Sequence, residues 1–192
     1  MNVHSPGKPV IALAMGDPAG ISPELTAKLT CLDEIRSRAR LIVIGDRRVF
    51  DEGARVAGVM ADLPNVTPSA DPKTIGGAAF MDIGHLDPAT IERGVASQAG
   101  GAFALENYRR ALTLARDGQA DAVCFTPFNK KAMRLARAEY DDEIAFSTEV
   151  AGLKPRPANS TCSTNSGMRA SPRISRSRTL PRVSPSNVFI AR

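Results

Sequence analysis

The stretch from Pro9 to Leu29, PVIALAMGDPAGISPELTAKL, limits the fold more than any other. Val10 to Met15 is an unbroken apolar run, as expected of a strand covered on both faces. Gly16, Asp17, Pro18, Ala19 and Gly20 are turn chemistry. Ser22 then suits a helix cap, Pro23 the first helical position and Glu24 the positive end of the helix dipole. A strand that turns into a helix N-terminus is a natural place to hold an anion. On spacing alone, Asp17 reads first as a turn and cap residue and second as a site carboxylate. The turn is not the G-x-G-x-x-G dinucleotide fingerprint, and the chain contains no phosphate-loop pattern.

The same alternation continues downstream. Arg40 precedes LIVIGD, a second buried strand with Asp46 at its carboxyl end. A helix from Pro23 to about Ala39 joins the two strands, which is the spacing of a parallel crossover. Arg47 to Val56 reads as a helix, and Leu63 to Pro72 as a loop. Phe80 to Ile83 reads as a strand, followed by a turn from Gly84 to Pro88. In the helix expected over Ser97 to Asp117, Ala104, Tyr108, Ala111, Leu112 and Ala115 share one face, and Gly118 closes it. Ala120 to Thr126 is a third buried strand, with Pro127, Phe128, Asn129, Lys130 and Lys131 at its exit. In open parallel sheets ligands sit outside the carboxyl ends of strands. Three such ends carry polar groups: Asp17, Asp46, and Thr126 with Asn129 and Lys130. Whether they converge depends on strand order. From the residues alone, Lys130 is a phosphate or proton-transfer group or a solvated neighbour of Lys131. Thr148 and Glu149 are polar site groups or the exposed start of a helix running to Leu153.

Composition narrows the function classes. The net charge of +5 belongs to the tail: residues 154–192 hold eight basic residues and no acid, so the first 153 carry a net −3. The body therefore has no electrostatic case for nucleic acid. Cys31, Cys124 and Cys162 lack metal-ligand spacing and read as reduced thiols of a cytoplasmic protein. His4 and His85, the only histidines, have no second ligand at metal spacing. No apolar run approaches the roughly 20 residues that span a membrane, and the N-terminus lacks a signal-peptide pattern.

Three segments resemble one family. MGDPAGISPEL is similar to the GDPAGIGPE opening motif of the 4-hydroxythreonine-4-phosphate dehydrogenase family. LIVIGDRRVF resembles that family's second strand, and ADAVCFTPFNKKAM its T-A-P-I-N-K segment. The order and intervals agree over about residues 9–153. The resemblance implies an α/β/α sandwich of the isocitrate/isopropylmalate dehydrogenase-like fold, present in part, and a homodimer with its active site near the subunit boundary. It implies NAD as hydride acceptor and a divalent metal (Zn, Mg or Co) polarising a secondary alcohol on a small phosphorylated hydroxy acid, with decarboxylation to follow. In the best-known members the reaction belongs to pyridoxal phosphate synthesis; related members act on four-carbon sugar-acid phosphates. Carried over by motif, Asp17, Asn129 and Thr148 are candidate substrate-binding residues and Lys130 is the candidate catalytic group. The cofactor-binding residues stay unassigned, and no metal ligands are recognised. Phe146-Ser147-Thr148-Glu149 aligns with the family's G-H-T-E motif, with Ser147 standing where the histidine belongs.

Residues 1–8 read as a flexible N-terminus, and residues 154–192 as a Ser/Arg/Pro-rich tail with no hydrophobic period. The expectation is that this tail is read in a shifted frame, because a neighbouring frame permits a Thr-Ser-His-Ile-Pro-Leu segment resembling a metal-ligand segment of the family. A truncated chain that is weakly active or inactive, with open sheet edges that favour aggregation, follows from that reading. The alternatives are a genuine basic tail and a non-catalytic ligand-binding or dimerising protein.

Overall fold

The computed structural model describes residues 7–140, 142–152 and 188–190. The first six residues and the expected tail, apart from residues 188–190, lie outside them. Six strands form one sheet: β1 (Val10–Ala14), β2 (Arg40–Gly45), β3 (Asn65–Val66), β4 (Ala78–Asp82), β5 (Ala122–Phe125) and β6 (Val188–Ile190). Their order is β3-β4-β2-β1-β5-β6. All pairings are parallel except β5 with β6. The helices are α1 (Ser22–Thr30), α2 (Asp33–Arg38), α3 (Arg47–Ala57), α4 (Gln98–Arg116), α5 (Lys130–Ala136) and α6 (Glu143–Val150).

Strand parity sorts the core into two layers. Val10, Ala12, Ala14, Ile42, Ile44, Ala79, Met81, Val123 and Phe125 face α4, α5 and α6. Leu13, Met15, Leu41, Val43 and Phe80 point to the opposite face, against Ala27 of α1 and Val49, Phe50 and Ala54 of α3. The result is an α/β/α sandwich, which explains why the strands read as continuous apolar runs. Tyr108 of α4 ties the first layer together, its ring 5.0 Å from Phe125, 5.5 Å from Phe128 and 5.9 Å from Phe146.

Several expectations need correction. The single helix over residues 23–39 is two. Thr30 turns its hydroxyl back onto the Ala27 carbonyl at 2.7 Å, Leu32 is extended, and Asp33 and Glu34 restart a helix at its acid-favouring end. Ser22 does not cap α1; Ile21 holds that position without a side-chain bond, and the Ser22 hydroxyl is used elsewhere. The last described helix runs from Glu143 to Val150 and is capped by Asp142, so Thr148 and Glu149 lie in its final turn. The loop expected over residues 63–72 contains β3. β6 pairs antiparallel along the outer edge of β5, and the sheet remains open-ended at β3 and β6 among the described residues. Gly118 follows the end of α4 with φ 70°, as the sequence suggests, and Ser97 caps its start. Among the described residues, no helix is long and apolar enough to cross a membrane.

α4 and α5 cross at Gly101, where a Cβ would stand 1.9 Å from the Ala132 carbonyl oxygen. Gly101→Ala is therefore expected to force the helices apart and to cost about 1–3 kcal/mol in urea unfolding. An unchanged midpoint would contradict this crossing.

Candidate active site at the strand ends

The sheet order places β1 between β2 and β5, so the three polar strand ends do lie side by side. The closest contact is backbone on backbone. A Cβ on Gly16 would lie 2.3 Å from the carbonyl oxygens of both Thr126 and Pro127. Only glycine lets the β1 turn settle against the β5 exit. The Asp17 amide then donates to the Pro127 carbonyl at 3.0 Å. From α4, the fully buried Asn107 donates its Nδ2 to the Met15 carbonyl at 2.8 Å.

Beneath the turn lie three hydroxyls, those of Ser22, Thr26 and Thr126, each at most 2% exposed. Gly16 N–H donates to Ser22 Oγ at 2.8 Å and to Thr126 Oγ1 at 3.0 Å. Ser22 Oγ and Thr126 Oγ1 are hydrogen-bonded to each other, and Thr126 Oγ1 lies 3.2 Å from Thr26 Oγ1. The cluster joins the turn, α1 and the β5 exit. Sequence reading missed its two α1 members. The available signal was that Ser22 stands where the resembling motif has glycine, with Thr26 one helical turn on.

Asp17 is 8% exposed. Its Oδ1 accepts from the Ala19 amide at 3.0 Å, while Oδ2 takes no hydrogen bond among the described residues. Oδ2 is not among the fully buried atoms without a partner, so it faces the small exposed part of the residue and is open to a ligand donor. Asn129 caps α5, its Oδ1 accepting from the Lys131 and Ala132 amides, which leaves Nδ2 for other partners. Lys130 begins α5 and is exposed. Thr148 bonds back to the Ile144 carbonyl at 2.8 Å. No described hydrogen bond or ion pair joins Thr148 to Asp17, Asn129 or Lys130. Ser147 is fully buried beside Tyr108. Burial pushes the Tyr108 hydroxyl up to about 12, with Ser147 hydrogen bonding as a smaller opposing pull.

A cavity of about 240 Å³ opens next to the turn, lined among others by Pro18, Gly20, Pro23, Arg48, Ile91 and Arg93. None of Asp17, Asn129, Lys130 or Thr148 lines it. His85 stacks on Phe103 with ring centroids 5.0 Å apart. The described residues bring together no group of three His, Cys, Asp or Glu side chains; a metal would need ligands beyond them.

Asp46, at the β2 end, is buried, caps α3 through the Arg48 amide and pairs with the Arg48 guanidinium at 2.8 Å. Burial alone would raise its pKa; the hydrogen bonds and charge of Arg48 outweigh it and hold the carboxyl below its ordinary value. A depressed carboxyl contributes stability that is complete above its unfolded pKa and lost as pH falls through the folded one. Asp46→Asn is expected to cost about 1–2 kcal/mol at neutral pH. The gap from wild type should close as pH falls below about 4. Urea titrations across pH test this, and a gap that ignores pH would refute it.

Residues 37–169 match the family model described as "Pyridoxal phosphate biosynthetic protein PdxA". A Rhizobium meliloti (strain 1021) protein named "Putative 4-hydroxythreonine-4-phosphate dehydrogenase 2" is 62% identical over 146 residues, covering 74% of this chain and 41% of that protein. A Symbiobacterium thermophilum protein named "Putative D-threonate 4-phosphate dehydrogenase" is 34% identical, covering 76% and 44%. The crystal structure of a 4-hydroxythreonine-4-phosphate dehydrogenase from Burkholderia phymatum superposes with a TM-score of 0.66 at 26% identity, covering 77% of this chain and 45% of that one. The chain thus spans about two-fifths of the length of the curated relatives it matches. Its fold is that of the isocitrate/isopropylmalate dehydrogenase-like group to which these neighbours belong. By motif, matched length and fold together, the chain belongs to the PdxA family of pyridoxal phosphate biosynthetic proteins.

Proposed function

We propose that this chain carries the strand-end half of an NAD- and divalent-metal-dependent dehydrogenase acting on a small phosphorylated hydroxy acid, 4-hydroxythreonine 4-phosphate or a close relative. The observation that carries the reading is the free Oδ2 of nearly buried Asp17, held at the carboxyl end of the central strand. There it would accept a hydrogen bond from a substrate hydroxyl or ammonium group. Asn129 would offer Nδ2, its oxygen being occupied by the α5 cap. Lys130 is exposed at the β5 exit and would meet the phosphate or carry a proton. Thr148 would complete the substrate contacts from α6. The buried Ser147 gives its own side chain no route to substrate, which supports a substrate preference different from that of members with histidine there. NAD would supply the hydride acceptor and the metal the polarisation of the alcohol. A cytoplasmic homodimer acting on small molecules, with no nucleic acid or membrane partner, completes the proposal.

A second reading, a protein that binds ligand or dimerises without turnover, is favoured by one observation: the described residues assemble no metal-ligand group. One titration series addresses both. The chain is expected to bind 4-hydroxythreonine 4-phosphate in calorimetry, and Asp17→Asn to weaken binding about tenfold or more, as loss of a charged hydrogen bond does. Little or no NADH is expected from the 192-residue chain with added divalent metal. Binding that ignores Asp17→Asn would remove the carboxylate from the site, and ready turnover would eliminate the second reading.

A further inference from the structure

We infer that Ser22 is a positioning residue: with Thr126 and Thr26 it forms a one-directional hydroxyl relay that fixes where Asp17 presents its free oxygen. The direction comes from counting protons. Thr26 Oγ1 donates to the Ser22 carbonyl at 2.8 Å, so its only proton is used. The 3.2 Å contact between Thr26 and Thr126 must then be a donation from Thr126. That spends the Thr126 proton, so Ser22 donates to Thr126. The lone pairs left on Ser22 and Thr126 accept the Gly16 amide from below the turn. Each hydroxyl proton in this buried cluster then has one acceptor and one sense, the Gly16 amide proton is shared between two acceptors, and a satisfied buried network specifies a single geometry.

The consequence falls on Asp17. Its preceding amide, Gly16 N–H, is clamped by the relay, and its own N–H by the Pro127 carbonyl. Thr126 and Pro127 are consecutive, so both clamps come from one rigid strand exit. Ala19 N–H holds Oδ1, and only Oδ2 stays open. Ser22 acts through the turn and does not itself have to touch substrate. The role rests on the substrate-binding reading of Asp17, yet its test does not.

The test is amide NMR on the full chain. The Ala19 amide proton reports its bond to Asp17 Oδ1 and should be protected from hydrogen exchange by it. Removing a hydroxyl, in Ser22→Ala or Thr126→Val, is expected to reduce this protection at least twofold, with the protection of sheet amides such as Ile42 and Phe80 unchanged. Thr126→Ser keeps the hydroxyl and should restore it. Unaltered Ala19 protection in both hydroxyl-deleted variants would overturn the relay, as would loss of the protection in Thr126→Ser. Failure of Ser22→Ala to fold would also overturn it, since the hydroxyl would then serve the fold at large and not one carboxylate. A wild-type chain that binds no 4-hydroxythreonine 4-phosphate, with the Ala19 pattern as expected, would refute the substrate reading alone.

Discussion

The turn after β1 rests directly on the exit of β5, with no room for a Cβ on Gly16. That contact ties the second layer of the molecule to the first. It lets the Asp17 amide reach the Pro127 carbonyl and brings Ser22 and Thr126 within hydrogen-bond range. Any side chain at Gly16 would push the strand ends apart and break the bonds from Gly16, Ser22 and Thr26 to the Thr126 hydroxyl. Buried polar groups are tolerable only when paired, so packing and polar satisfaction depend here on the same missing methyl group.

The polar strand ends are adjacent, but they are not equivalent. Asp46 is satisfied: it caps α3 and holds Arg48, and its lowered pKa belongs to stability. Asn129 is half satisfied by its cap. Asp17 keeps one oxygen without a protein donor. The difference lies in the neighbouring residues of the chain. Arg48, two positions after Asp46, donates both its amide and its guanidinium, whereas Ala19, two positions after Asp17, has only an amide to give. The group with unused capacity is therefore the one at the centre of the sheet.

Much of this was legible from the chain. The apolar runs from Val10 and from Leu41 gave strands because both faces of a covered sheet must be apolar. The five-residue face of α4 gave the long helix. The break between α1 and α2 was not legible, because the Thr30 hydroxyl competing for the Ala27 carbonyl leaves no mark on periodicity. Ser22 read as a cap for the same reason: local spacing shows that a hydroxyl is near a helix start and not which partner it finds. The early start of α6 was hidden by an apolar pattern too short to show a period.

By itself the sequence determined the alternation of strands and helices, the turn chemistry of Gly16 to Gly20 and, through three ordered motifs, the family. These depend on short-range periodicity and on residue types that few backbone conformations accept. Only the tertiary structure decided that β1 lies between β2 and β5 and that Ser22, Thr26 and Thr126 share protons across about a hundred residues of chain. It also decided that Asp46 is spoken for while Asp17 is not. Such facts depend on long-range contacts, where the partner of each polar group is set by strand order and by the few ångströms a glycine leaves open.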